Sequence, residues 1–343
     1  NRAHLTREEK IMDMTPYVEM AKSLGFENSI LMPKMFQMIV DADEAKIVLA
    51  ASPPKTVEEL AAETGFTSDR AQDLLDQLFI KGLIYKSKKT GCHPYYKFRS
   101  YIQFHDGTVL TPGISQEYLD LWKEFEKTEM AALRDSVKEI ERRQGMRVVP
   151  VNVIVEAQKE VMAPDDVVKM IDDADKIVVT NCSCRVIHGI TDVPLEVCMQ
   201  MNKAADYALD RGTGRELTKQ EAMEMLKMCE DEGLIHCVDN KRDLGYLICN
   251  CDGVGCGNWG GNKGYAKTFT APSRFKADVK MESCSLCEAC LDRCFFDAIS
   301  MTGEDDAAVI DPVKCMGCGV CIPVCEDDAI SMKEIQPVEF IPV

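Results

Sequence analysis

The sequence predicts an α+β multidomain chain, and three observations carry that prediction. First, 343 residues with 46% hydrophobic and 28% charged side chains suffice for two or three ordinary cores. Second, helical periodicity and short strand-like runs share the first 275 positions without a regular βα alternation. Third, the chain has 17 cysteines, and those in the last 60 residues repeat at a fixed offset. Boundaries near 110, 150 and 275 then give an N-terminal domain (1–110), a helical connector (111–150), a cysteine-rich α/β domain (151–275) and a cysteine-repeat domain (276–343).

Composition excludes several classes of function. No stretch approaches the roughly 18 uncharged apolar residues of a membrane span. With 40 Lys and Arg against 57 Asp and Glu, the net charge is −17, which repels a phosphate backbone and disfavours nucleic acid as the principal partner. An odd cysteine count argues against complete disulfide pairing. Asn1 to Lys10 are polar with no apolar signal core, so a cytoplasmic location is expected. No Ser-His-Asp order, Walker loop or HExxH helix supports hydrolytic or phosphoryl chemistry, and no catalytic residue is assigned.

Between Met32 and Arg99 the pattern is helix, helix, turn, helix, then two strand-like runs around a basic loop. Thr56 and Glu59 form a capping-box signature, and Gly65 sits in the turn. Ala71, Leu74, Leu75, Leu78 and Phe79 make a helical core stripe. The following segment supplies Lys81, Lys86, Lys88, Lys89, Lys97 and Arg99, with Cys92 and His93 as bystanders in its loop. Together these features resemble a winged helix-turn-helix domain. That resemblance implies a third helix in a major groove, yet its outward Asp69, Asp73 and Asp76 face a single Arg70. Residues 1–100 carry 14 basic and 14 acidic side chains. Docking or dimerisation is therefore expected of this domain rather than DNA recognition. Gln116 to Arg143 form a charged periodic helix, a connector or homodimer-packing element, with Leu119, Trp122, Phe125 and Met130 as core contacts.

From about Val148 to Pro272 the chain reads as mixed α/β. DDVVKMIDDA is a short helix, KIVVT a strand, and Thr218 with Glu221 caps a helix that Gly233 ends. A hairpin then delivers its second strand into Cys249-Asn-Cys251-Asp-Gly-Val-Gly-Cys256. Cys182 and Cys184 follow the KIVVT strand, and Cys198 stands in PLEVC, so six cysteines are expected at element ends and loop tips. Cys-x-Cys-Arg, Glu-x-Cys, Gly-Arg-x-Leu-Thr-x-x-Glu-Ala and Ile-Cys-Asn-Cys, spread over Val161 to Cys256, resemble a family of 4Fe–4S-binding proteins of anaerobes. The usual forms have extra cysteines, whereas Asp252 follows Cys251 here and none stands between Cys184 and Cys198. The resemblance implies a third [4Fe–4S] cluster drawn from Cys182, Cys184, Cys198, Cys249, Cys251 and Cys256, with the amides of Gly253, Gly255 and Gly257 free to approach sulfide. A zinc site and reduced or redox-active thiols are the alternatives. His188 is expected to be an ordinary hydrogen-bonded histidine, and Cys229 and Cys237 core residues. Gly255-x-Gly257-x-x-Gly260 is no dinucleotide fingerprint, because no βαβ unit surrounds it.

At an offset of 31 residues, CSLCEACLDRCFFDAISM (Cys284 to Met301) aligns with CMGCGVCIPVCEDDAISM (Cys315 to Met332). Each half reads Cys-x2-Cys-x2-Cys-x3-Cys, in which three thiolates on one tight loop can reach three irons of a cubane while the fourth must come from elsewhere. This repeat resembles the two-cluster bacterial ferredoxin module. The resemblance implies two [4Fe–4S] clusters with exchanged fourth ligands. One takes Cys284, Cys287, Cys290 and Cys325; the other takes Cys315, Cys318, Cys321 and Cys294. Phe295 and Glu326 stand where the family has proline. Disulfides or zinc knots are the competing account of these eight residues.

The expected architecture is thus a winged helix-turn-helix, a connector, a cysteine-rich α/β domain and a ferredoxin-like two-cluster domain. The expected function is an iron–sulfur electron-transfer protein or the electron-relay subunit of an anaerobic oxidoreductase complex. Lys276 to Val343 hold five basic and fourteen acidic side chains, which suits docking on a basic patch of a larger redox partner. The alternatives are a redox-sensing iron–sulfur transcription regulator, or a cluster-based reductase using the middle-domain cysteines.

Overall fold

The computed structural model describes residues 13–87, 94–136, 138–139, 143–151, 167–242, 245–257, 259, 268–301 and 307–343. It mixes helix and sheet, and its chain divides into two compact units, Asn1–Phe125 and Glu126–Val343.

The first unit contains α1 (Thr15–Ser23), α2 (Leu31–Ile39), α3 (Ala42–Ala50), α4 (Val57–Thr64), α5 (Ser68–Ile80), the antiparallel pair β1 (Ile84–Lys86) and β2 (Tyr95–Lys97), α6 (Tyr101–Val109) and α7 (Gln116–Phe125). Local chemistry starts and stops these helices. Asp41 with Glu44 and Thr56 with Glu59 form reciprocal capping boxes, Thr67 accepts from the Arg70 amide, and Gly65 closes α4 in the left-handed region. Ala71, Leu74, Leu75, Leu78 and Phe79 are buried. Phe36 packs on Phe104 and Phe98 with ring centres 4.5 and 5.7 Å away, and Trp122 is fully buried beside Phe104. Glu44, also buried, is neutralised by Lys81 Nζ at 2.6 Å. The basic loop with Lys88, Lys89, Cys92 and His93 lies outside the described residues.

The second unit opens differently from the expected connector helix. The expected helix runs from Gln116 through a π-helical turn at Glu126–Met130 to Arg134 and breaks at Asp135 and Ser136, with residues 138, 139 and 143 again helical among the described residues. Met146–Val148, expected within the connector, is instead β3 of a seven-stranded sheet. The sheet's other members are β4 (Ile177–Asn181), β5 (Glu196–Met201), β6 (Gly214–Leu217), β7 (Ile235–Asp239), β8 (Leu247–Cys251) and β9 (Thr270–Ala271), in spatial order β6-β4-β5-β8-β7-β3-β9. All pairings are antiparallel except β3 with β9. Val179, Met199, Ile248 and Val238 form one apolar layer that packs against Val167, Met170 and Ile171 of helix Val167–Asp173 and Ala222 and Leu226 of helix Lys219–Asp231. The latter starts at the expected Thr218–Glu221 capping box.

The C-terminal segment adds two small sheets. β10 (Phe275–Val279) pairs with β13 (Ile330–Glu334), and β11 (Ile299–Met301) pairs with β12 (Ala308–Ile310). The two copies of Ala-Ile-Ser-Met thus lie in different sheets, each following the fourth cysteine of its own half.

Candidate metal centres

The repeat is visible in the backbone. Leu286 and Gly317 have φ of 64° and 71°, Glu288 and Gly319 have 60° and 74°, and Asp297 and Asp328 have 52° and 50°. Each pair is separated by the 31-residue offset. Left-handed residues beside the first three cysteines turn the chain back on itself, which lets thiols three apart in sequence point to one side. A further left-handed residue follows each fourth cysteine. There the amides of Ala298 and Ala329 donate to Cys294 Sγ at 3.4 Å and Cys325 Sγ at 3.3 Å.

Two cavities result. Cys284, Cys287, Cys290 and Cys325 line the first, and Cys294, Cys315, Cys318 and Cys321 line the second. Each therefore draws three thiols from one half and the fourth from the other. Burial pushes the Cys318 thiol up to about 12 and that of Cys321 well above its ordinary value. Their deprotonation has to be driven by a bound cation or cluster. The cavities differ in setting. Cys287 is exposed at the first, whereas Cys315, Cys318 and Cys321 are all buried at the second.

The six middle cysteines also converge. Hydrogen-bonding contacts link Cys182 to Cys184 and Cys198, Cys184 to Cys256, Cys249 to Cys198 and Cys251, and Cys251 to Cys256. These contacts close a ring of six. The positions are more regular than loop tips. Cys198 lies within β5, Cys249 and Cys251 within β8, and Cys182 and Cys184 at the start of helix Ser183–His188, so only Cys256 is on a loop. Bonds from Cys184 and Cys198, aided by the Arg185 guanidinium, hold the Cys182 thiol well below the usual range despite burial. Cys184 and Cys249, donating to neighbours, are held well above it.

Arg185, fully buried, is the cation of this site. Its Nε donates to Asp252 Oδ2 at 2.9 Å, one terminal nitrogen to the Asn250 carbonyl at 2.8 Å, and the other to the Pro194 carbonyl. His188 Nε2 lies 2.7 Å from Glu126 Oε2, which occupies that nitrogen with a carboxylate. One of the three glycine amides is not free, contrary to expectation. Gly255 donates to Asp252 Oδ1, a Cβ on Gly253 would stand 1.9 Å from the Phe295 ring, and one on Gly257 would stand 2.8 Å from Glu126 Oε1. The last two glycines are there for close packing.

Sequence reasoning missed Cys237. It is buried, as expected of a core residue, but its thiol bonds to Cys251, and its backbone stands opposite Cys249 in the β7–β8 register. Hairpin arithmetic could have found it, since Cys237 and Cys249 are equidistant from the turn centre. None of the 16 described cysteines is in a disulfide. Among the described residues, no three His, Cys, Asp or Glu converge closely enough to hold a single metal ion. Cavities lined by four thiols apiece, with amide–sulfur bonds, fit a cluster better than an ion.

Residues 283–329 match the family of 4Fe–4S dicluster domains. The chain thus carries an iron–sulfur cluster-binding domain at its C-terminal end. No curated protein and no solved structure matches the chain. Among the described residues, no helix is long and apolar enough to cross a membrane.

Proposed function

We propose that this protein is an electron-transfer protein, the relay subunit of an anaerobic oxidoreductase complex, holding two [4Fe–4S] clusters in its C-terminal domain and a third in the middle ring. The observation that carries this is the pair of cavities, each lined by four cysteines drawn from both halves of the repeat. When bound, such clusters supply one-electron transfer at potentials set by their surroundings, between roughly −700 and +450 mV. Cys284, Cys287, Cys290 and Cys325 would hold one, and Cys294, Cys315, Cys318 and Cys321 the other. Full thiolate ligation leaves no position for substrate, so substrate chemistry falls to a partner.

For the third cluster the support is the closed ring of six thiols and the buried Arg185 beside it, a positive charge suited to an anionic cluster in a dry setting. Six thiols exceed the four a cluster needs, which keeps a cluster-based reductase as the second reading. A docking face at the first cavity is supported by exposed Cys287 and by Glu288 and Asp327, which line it and are exposed. A basic patch on a larger redox protein would complement it. For the winged-helix-like unit we favour docking over DNA binding, because two cations of its third helix and first strand are engaged by carboxylates: Lys86 pairs with Asp76 at 3.0 Å and Arg70 with Asp43 at 3.6 Å.

Iron and acid-labile sulfide in anaerobically purified protein should each approach about 12 per chain, four per cluster. About 8 removes the third cluster, and near zero overturns the whole assignment. Anoxic pull-down followed by paramagnetic-resonance titration with the captured protein tests the relay role. Turnover of a substrate by the isolated chain with a chemical reductant would favour the reductase instead.

A further inference from the structure

The seventh thiol, Cys237, lies on the side of the middle ring that leads to the loop of the second C-terminal site. Cys237 of β7 lies opposite Cys249 of β8 on one side and Val148 of β3 on the other. A row of residues therefore leads from the ring across the sheet towards β3. Three residues after Val148, the Val151 amide donates to the Cys318 carbonyl at 3.0 Å, which fastens the second-site loop at the end of that row. The Ser273 amide holds the same loop through the Met316 carbonyl at 2.9 Å. A separate contact makes the same link. Phe295 directly follows Cys294 of the second site, and its ring lies against Gly253 within the Cys249–Cys256 loop. The walls of both cavities come from the C-terminal segment alone, 279–330 for the first and 277–321 for the second, so the link to the middle ring is made by these backbone and ring contacts around the second-site loop.

We propose that Cys237 carries the electronic contact between the middle ring and the second C-terminal site, so that the second site is the junction of a linear three-site wire. The inference rests on the assignment of a cluster to the middle ring. The step moves one electron, oxidising one site as it reduces the next, with no bond made or broken and no proton transferred. Cys237 would act as a positioning residue whose sulfur fills the space between two ligand loops. Electron tunnelling weakens more steeply across a void than through packed atoms, and a methyl in place of the thiol leaves such a void.

The test uses the full chain with all clusters loaded. Intramolecular electron equilibration after flash photoreduction is followed in the unsubstituted protein, in Cys237→Ala, and in Cys229→Ala, a control that removes an equally buried thiol from the far side of the ring. We expect equilibration with the middle site to slow severalfold in Cys237→Ala only, with iron content and the potentials of all sites unchanged. An unchanged rate, or equal slowing in both variants, overturns the role of Cys237. Should Cys237→Ala lose its iron, the unsubstituted protein decides the order. Paramagnetic relaxation of the middle site must be enhanced on reduction of the second site, and enhancement by the first site alone refutes the proposed wiring. Iron near 8 per chain in the unsubstituted protein removes the middle cluster itself and this inference with it, an outcome separate from a loaded ring wired to the wrong site.

Discussion

Replacing Gly317 by alanine probes the geometry on which the second site depends. Gly317 stands between Cys315 and Cys318 at φ 71°, where an L-residue costs about 1–2 kcal/mol. An added Cβ would also lie 2.0 Å from the Phe275 carbonyl oxygen and 2.9 Å from Ser273 Cβ. That oxygen cannot step aside cheaply. Phe275 is the first residue of β10, paired in register with Glu334 of β13, and the Ser273 amide is bound to Met316. Overpacking a well-ordered site costs about 1–3 kcal/mol, so the two effects together predict a loss of about 2–5 kcal/mol. The assay is anoxic denaturant unfolding followed through cluster absorbance and far-ultraviolet circular dichroism. The matched control is Leu286→Ala at the equivalent position of the first half, where φ is 64° and a side chain is already accommodated. That change should cost far less and spare the second site. If Gly317→Ala unfolds at the unsubstituted midpoint and retains its full iron, the close approach of Gly317 to Phe275 is absent from the protein and the argument fails.

Three further outcomes follow from single contacts. Arg185→Ala takes a donor from the part-buried Asp252 carboxylate, whose Oδ1 the Val254 and Gly255 amides still hold, and from two carbonyls, which should destabilise by about 1–3 kcal/mol and lower iron from about 12 to about 8 per chain, the two C-terminal clusters surviving; loss of iron from all sites alike would contradict a local role. Gly253→Ala drives a methyl into the Phe295 ring and should lose about 1–3 kcal/mol, most of it recovered in Gly253→Ala/Phe295→Ala, so an additive double-mutant cycle would show that the two do not touch. Burial raises the Cys229 thiol to about 12, above the roughly 8.5 of an unfolded chain. Its contribution to stability is therefore whole below pH 8.5 or so and fades as pH climbs towards 12. Cys229→Ala should flatten that alkaline decline in unfolding free energy, and an unaltered decline would assign it to other groups.

The parts of the fold legible in sequence were those set by local chemistry. Thr56–Glu59 and Thr218–Glu221 start helices because an oxygen-bearing side chain three residues before a glutamate satisfies amides within one turn. The 31-residue repeat was legible for a similar reason, since the spacing of three cysteines encodes the loop that presents them. What could not be read depends on contacts between distant segments. Met146–Val148 has too few residues to announce a strand, and becomes one only because Asp239 to Cys237 lie beside it. The helix expected through Arg143 widens to a π-turn at Glu126–Met130, where buried Glu126 meets His188, 62 residues later, and breaks after Arg134. Cys237 looked like core because its burial is real; its membership of a thiol array follows from a cross-strand register that no local pattern specifies.

The two halves of the repeat also explain why they differ in sequence while sharing a backbone. Both need left-handed residues at the same three places, and the first half meets that need with Leu286, Glu288 and Asp297, the second with Gly317, Gly319 and Asp328. Backbone conformation alone does not separate them, because the same left-handed φ values recur in both. What separates them is what lies outside the loop. The Phe275 carbonyl presses on Gly317 and Ser273 and Val151 bind the flanking backbone, so a side chain has no room. Around the first loop Cys287 and Glu288 face solvent, and side chains can be carried at the cost of about 1–2 kcal/mol each. Glycine at 317 and 319 is thus the mark of the half that is packed inward, and Leu286 and Glu288 the mark of the half left open to another molecule. The proposed junction at the second site and the proposed docking face at the first both rest on this asymmetry.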